Sequence, residues 1–172
     1  MSGIVRLSEG VEWAIHCCTV LAALPAARTM PSATLAEFHE VPPAYLAKHL
    51  QAITAAGMTE SVPGPRGGYR LARPPAEISV LEVVLAVDGG AAAFRCREIR
   101  QRGPAAGAPD TYLRPCGIAR VMWRAEHAWR AALAATSIGD LVTELRDTGA
   151  PEQLLRATEW IQEVEITRRN RR

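Results

Sequence analysis

The sequence predicts a mainly α-helical fold: a winged helix-turn-helix with a small β-hairpin wing and a long dimerisation helix. Three observations carry that expectation. Apolar residues recur at helical spacing through most of the chain. Two short helical patterns are joined by the tight turn Val41-Pro42. Two short strand patterns, 59–62 and 69–71, then flank the Gly- and Pro-rich turn Pro63-Gly64-Pro65-Arg66-Gly67-Gly68.

The 172 residues suffice for one domain with a real core and an appended element. The net charge of +2 does not by itself announce a nucleic-acid partner. The basic residues are arginines except Lys48, and arginine makes the better forked contact to phosphate. The apolar run 17–27 is short for a membrane span. Glu9, Glu12 and His16 stand where a secretory leader needs a positive flank and an unbroken apolar core. No membrane association is expected, and the chain reads as cytoplasmic with reduced thiols.

The first helical pattern, Leu7 to Leu24, has Val11, Ala14, Ile15, Cys18 and Ala22 on one apolar face and Trp13, Cys17, Val20 and Leu24 on a second. Between them runs a strip of Glu12, His16, Thr19 and Ala23. Glu12 and His16 are one helical turn apart and so are neighbours; alone, such a pair is most often a surface hydrogen bond. Adjacent Cys17 and Cys18 cannot face one site and read as core. Ser32 is expected to cap the second helix. In the third, Pro43 suits the first turn, Leu46, Leu50 and Ile53 form the core stripe, and Gly57 is the stop. Tyr45, Lys48, His49 and Gln51 are left on its other faces. A helix-turn-helix followed at once by a hairpin points to double-stranded DNA, read by those four residues and by Arg66, Gly67 and Gly68 of the wing. A solvated helix face and a solvated loop are the plainer alternatives.

Ser79 and Glu82 form a capping box that opens a fourth helix. Residues 91–115 break the helical pattern, with Arg95, Arg97, Arg100 and Arg102 crowded around Cys96. Long irregular segments of this kind are usually functional or disordered. A helix from Gly117 to Ala135 follows, roughly 28 Å long at about 1.5 Å per residue, whose seam suits a second copy of the chain. Ser137 opens a further helix and Pro151 a last one. His39, His49 and His127 have no companions at metal-ligand spacing. Nucleophile–base motifs and phosphate-cradling glycine loops are missing, so no catalysis is expected.

Several runs carry a resemblance: Tyr45-Leu46, Gly67-Gly68-Tyr69-Arg70-Leu71-Ala72-Arg73-Pro74-Pro75, Ile78 to Val84 and Ala86 to Gly89. Through them the chain resembles the winged-helix iron–sulfur transcriptional regulators that include IscR and NsrR. Residues 10–18, 98–104 and 115–120 look most like the redox-sensing RsrR-like branch. That resemblance implies a homodimer binding operator DNA under control of a [2Fe–2S] cluster. The implied ligands are Cys96 and Cys116 of one protomer and Glu12 and His16 of the other. Trp13 lies between the last two in sequence and reads either as a core aromatic or as a redox relay that moves when the cluster changes state. IscR and NsrR carry three closely spaced cysteines in this loop, whereas two stand here. Ala47 and Pro63 replace a glutamate and an arginine of IscR, so the operator sequence does not carry over.

The expected organisation is a DNA-binding domain over 1–90, a cluster loop over 91–116, the dimerisation helix and its successor over 117–148, and a C-terminal helix with basic tail over 149–172. Two other readings stay open: a thiol–disulfide switch at Cys96 and Cys116, or zinc held by them with Glu12 and His16. A nitric-oxide-responsive cluster is a third alternative, and an iron–sulfur electron carrier is more remote.

Overall fold

Helix α1 (Glu9–Ala23) runs through the core and gives it Ala14, Cys17, Cys18, Val20 and Leu21. The computed structural model describes residues 7–25, 28–65 and 67–170. Glu9 and Glu12 in the first turn of α1 complement the positive end of its dipole, and Asp88 accepts the Ser8 backbone N–H at 2.8 Å just before it. Val11, Ala14, Cys17, Cys18, Val20 and Leu21 are buried. Burial pushes the Cys17 and Cys18 thiols up to about 12, with Cys18 adding to the effect at Cys17, so both are inert core residues as expected.

Helices α2 (Ser32–His39) and α3 (Pro43–Ala55) form the helix-turn-helix. Ser32 is the first residue of α2 rather than its cap: Pro31 takes the extended N-cap position, and no side chain caps the end. Glu40 closes α2 in the left-handed conformation at φ 56°. Leu46, Leu50 and Ile53 are fully buried on α3, and Gly57 turns the chain at φ +74°. Strands β1 (Thr59–Val62) and β2 (Gly68–Leu71) pair antiparallel, Thr59 opposite Leu71 and Val62 opposite Gly68. Met30 bridges to Tyr69 through backbone hydrogen bonds of 2.9 and 2.8 Å, tying the hairpin to the start of α2.

Ser79 and Glu82 form the expected capping box on α4 (Val80–Asp88). Residues 91–116 are irregular apart from 3-10 turns at Ile99–Gln101 and Pro109–Tyr112. Helix α5 (Gly117–Ala134) follows. The chain returns to the core with α6 (Ile138–Thr148), capped by a Ser137–Asp140 box. There the Ile138 N–H donates to the Ile78 carbonyl at 2.8 Å and the Ile138 side chain is fully buried. Helix α7 (Pro151–Asn170) lays Trp160 edge-on to Phe38 of α2, ring centres 5.0 Å apart.

The core is continuous from α1 through Leu35, Leu46, Leu50, Ile53, Met58, Ile78 and Val83 to Ile138. A smaller cluster of Val11, Val80 and Val84 receives Trp129 and Leu133 from the C-terminal half of α5. Burial of this apolar surface is the main favourable term holding the helices together.

Candidate functional site

The strip expected on α1 is present and faces outward. Glu12 and His16 are exposed and line an open groove of about 430 Å³ with the apolar residues Leu7, Val11 and Ile15. His16 is also not isolated. Its ring centre lies 5.5 Å from that of His39, the last residue of α2. Helical spacing gave His39 no companion because the contact crosses between two elements. Burial, then the His16 charge, holds His39 below its ordinary histidine range, which favours its neutral ring.

One residue from Glu12, α1 turns its other side to the helix-turn-helix. Trp13 meets Tyr45 and His49 of α3 edge-on, with ring centres 6.1 Å away in both cases. Tyr45 and His49 are themselves 5.8 Å apart. Such edge-to-face contacts between aromatic rings are individually favourable. Tyr45 stays 62% exposed, so a single side chain both touches Trp13 and faces solvent.

His49 does not belong on the DNA-reading face. It is buried, with its ring lying flat over Gly10 of α1; a Cβ built on Gly10 would stand 2.2 Å from the imidazole. The reason is complementarity across the α1–α3 contact: the glycine leaves the space the ring fills. Its Nε2 is buried without a hydrogen-bond partner. Burial lowers its pKa, Lys48 adds to that, and Asp88 opposes it. Lys48 and Gln51 are exposed as expected.

Of the wing residues, Arg66 lies outside the described residues. Gly67 and Gly68 are half-buried, and each sits where a side chain cannot go. A Cβ at Gly67 would meet the Val62 carbonyl oxygen at 2.1 Å, and one at Gly68 the Met30 backbone at 2.5 Å. Their small size is a packing requirement of the turn, whatever further contact they make. Arg70 pairs across the hairpin with Glu60 at 2.6 Å.

Cys96 and Cys116 are free and half-buried. Cys116 caps α5, its sulfur accepting the Ala119 N–H at 3.2 Å. Arg100 stands between the two cysteines in sequence and in electrostatics. Its guanidinium is held above its ordinary range first by hydrogen bonding to Glu98, with smaller contributions from Cys116 and Cys96. Both sulfurs are therefore within electrostatic reach of one cation. Sequence reasoning saw Arg100 only as one of four arginines; the acidic residue two positions earlier was the available signal.

Within a single protomer, among the described residues, no three His, Cys, Asp or Glu side chains converge on a common metal position. The N-terminal half of α5, which follows Cys116 directly, is unusually bare. Ile118 is 71% exposed and Val121 52%, with Met122 and Trp123 also exposed. No helix among the described residues is long and apolar enough to cross a membrane.

Comparison with known proteins bears on this arrangement. Residues 7–144 match the Rrf2 profile, described as "Iron-dependent Transcriptional regulator". A putative HTH-type transcriptional regulator of Lactococcus lactis, YffB, is 29% identical over 161 residues, covering 94% of this chain and all of that protein. The regulator IscR of Photorhabdus laumondii is 31% identical over 93 residues, 54% of this chain and 57% of its own. Among solved structures, CymR, titled the global cysteine regulator of B. subtilis, superposes with a TM-score of 0.64 at 20% identity over 81% of this chain and 98% of its own. IscR of T. potens gives 0.63 at 17% identity, over 85% and 92%. At these identities the structural matches establish the winged-helix fold.

Proposed function

Since the chain belongs to the Rrf2 family of DNA-binding transcriptional regulators, we propose that it is the redox-sensing, homodimeric kind, which binds double-stranded operator DNA under control of a [2Fe–2S] cluster. Glu12 and His16 of one protomer and Cys96 and Cys116 of its partner are the ligands of this reading. One observation supports it above the others: α1 shows Glu12 and His16 to solvent while Trp13, between them in sequence, rests on Tyr45 of the recognition helix.

The donor set suits such a group. Thiolates are soft ligands matched to iron–sulfur centres, and the two thiols here are half-buried and unbridged. An imidazole in place of a thiolate lowers the negative charge around iron and raises the reduction potential. When bound, the cluster supplies a one-electron couple. The protein's share is to carry a change at Glu12 and His16 into α3. Trp13 touches both Tyr45 and His49, so a displacement of its ring would be felt on α3. Tyr45, Lys48 and Gln51, with Arg66, Gly67 and Gly68 of the wing, contact the DNA in this reading. The exposed apolar face of α5 meets its copy in the partner, as a helix seam in a two-fold dimer does.

A thiol–disulfide switch is the second reading, favoured by two free, half-buried cysteines at the ends of a segment that Arg100 ties together through Glu98 and the Arg114 carbonyl. Protein purified without oxygen separates the two. The cluster reading expects colour, iron and acid-labile sulfide, with bleaching on reduction; colourless protein that forms a Cys96–Cys116 disulfide on oxidation contradicts it. Trp13→Ala is expected to retain the cluster and to bring the DNA affinities of the oxidised and reduced forms closer together in a gel-shift assay. An unchanged ratio rejects Trp13 as the relay.

A further inference from the structure

We propose that Arg100 is the clasp of the two-cysteine segment: its forked guanidinium ties the chain just after Cys96 to the chain just before Cys116, and so holds the two sulfurs ready for one shared ligand. The contacts on both sides are direct. Nε and Nη2 of Arg100 both donate to the Glu98 carboxylate, Nη2 at 2.8 Å. The same Nη2 donates to the carbonyl oxygen of Arg114 at 3.2 Å. Glu98 follows Cys96 by two residues, and Arg114 precedes Cys116 by two.

Tyr112 completes the clasp. Its hydroxyl donates to the Arg100 carbonyl at 2.9 Å and accepts the Gly107 N–H, while the guanidinium lies 5.3 Å from the ring centre. Glu98 adopts the left-handed backbone at φ 45°, a conformation a non-glycine residue keeps only when its surroundings hold it there. The segment between the cysteines is largely exposed and rich in Gly, Pro and Ala, so the Arg100 contacts help to offset the entropy of bringing its ends together. Both cysteines also add, as the smallest causes, to the raising of the Arg100 pKa, which agrees with this placement.

The inference rests on the reading that Cys96 and Cys116 act as a pair of ligands, and deepens it by naming what positions them. It holds for an iron–sulfur cluster, for zinc and for a disulfide alike. Its test therefore uses full-length, metal-free, reduced protein and phenylarsine oxide. This probe condenses with two thiols, forming two As–S bonds and releasing one water with no change of oxidation state. Buried Cys17 and Cys18 serve as an internal control, and peptide mapping places the adduct.

The wild type is expected to form a Cys96–Cys116 bridged adduct. Arg100→Gln should weaken it by at least about fivefold, since the effective concentration of one thiol at the other falls once the ends are released. Arg100→Lys should weaken it comparably, because one ammonium cannot span Glu98 and Arg114 as the fork does. Tyr112→Phe should give a smaller loss in the same direction. Affinity within about twofold of wild type in Arg100→Gln overturns the proposal. So does wild-type affinity in Arg100→Lys, which would assign the effect to charge alone. Failure here leaves the iron and sulfide measurement on the wild type untouched, and the reverse also holds.

Discussion

Two regions of the molecule, the α1–α3 contact and the first half of α5, are built in opposite ways. At the α1–α3 contact every space is filled: Gly10 admits the His49 ring, and Trp13 leans on Tyr45. On the first half of α5, large apolar side chains stand in solvent, and Ala119 alone is buried on that helix. The same helical periodicity is present in both. A closed contact transmits displacement, because close-packed interiors shift between discrete arrangements rather than yielding smoothly. An open apolar face is suited to receiving another surface. Helix α1 shows the same contrast within one element, filled on its buried side and bare at Glu12 and His16.

If the α1–α3 contact is as closed as it looks, enlarging it should be the most damaging change. Gly10→Ala drives a methyl into the His49 ring. It is expected to destabilise the fold by about 1–3 kcal/mol, the usual cost of overpacking a core, as measured by urea denaturation. Wild-type stability would mean that the imidazole has room to move and that the contact is soft.

A smaller effect concerns the same ring. Burial holds His49 below its ordinary 6.5 in the folded chain, with Lys48 adding to it. As pH falls through about 6.5 the unfolded chain takes up a proton that the folded chain resists, so stability declines and then levels once the folded value is passed. His49→Phe should flatten this part of the pH dependence, with His39, lowered in the same direction, retaining the remainder. An unchanged slope would place His49 in solvent.

The opposite region predicts the smallest change in stability. Ile118→Ala should leave the fold within about 0.5 kcal/mol of wild type, as surface substitutions do, yet weaken self-association in analytical ultracentrifugation. Intact association with lost stability would reverse the comparison.

Much of this fold was legible because its signals are local. Ser79–Glu82 and Ser137–Asp140 announce their helices within four residues, and Gly57 marks a stop by the backbone it needs. What stayed hidden lies across elements. His49 carries a polar ring at a position that periodicity assigns to either face; only the absent side chain of Gly10, on another helix, decides it. His39 finds His16 through the same kind of contact. On α5 the apolar spacing is clear, but spacing cannot say whether a seam meets its own domain, as Trp129 and Leu133 do, or is left open, as Ile118 and Val121 are. The ligand candidates Glu12, His16, Cys96 and Cys116 came from resemblance; the structure adds the groove, the aromatic contact and the Arg100 clasp around them.

In the proposed function, ligands from two protomers meet at one centre, and subunit complementation distinguishes this from ligation within one chain. One protomer carries Glu12→Ala with His16→Ala and keeps its cysteines; the other carries Cys96→Ala with Cys116→Ala and keeps Glu12 and His16. Each homodimer should be colourless. The doubly tagged heterodimer is expected to regain one complete ligand set, with iron, sulfide and the visible spectrum of about one cluster per dimer. A colourless heterodimer would mean that the four side chains serve within their own chain or not at all, and would contradict the account.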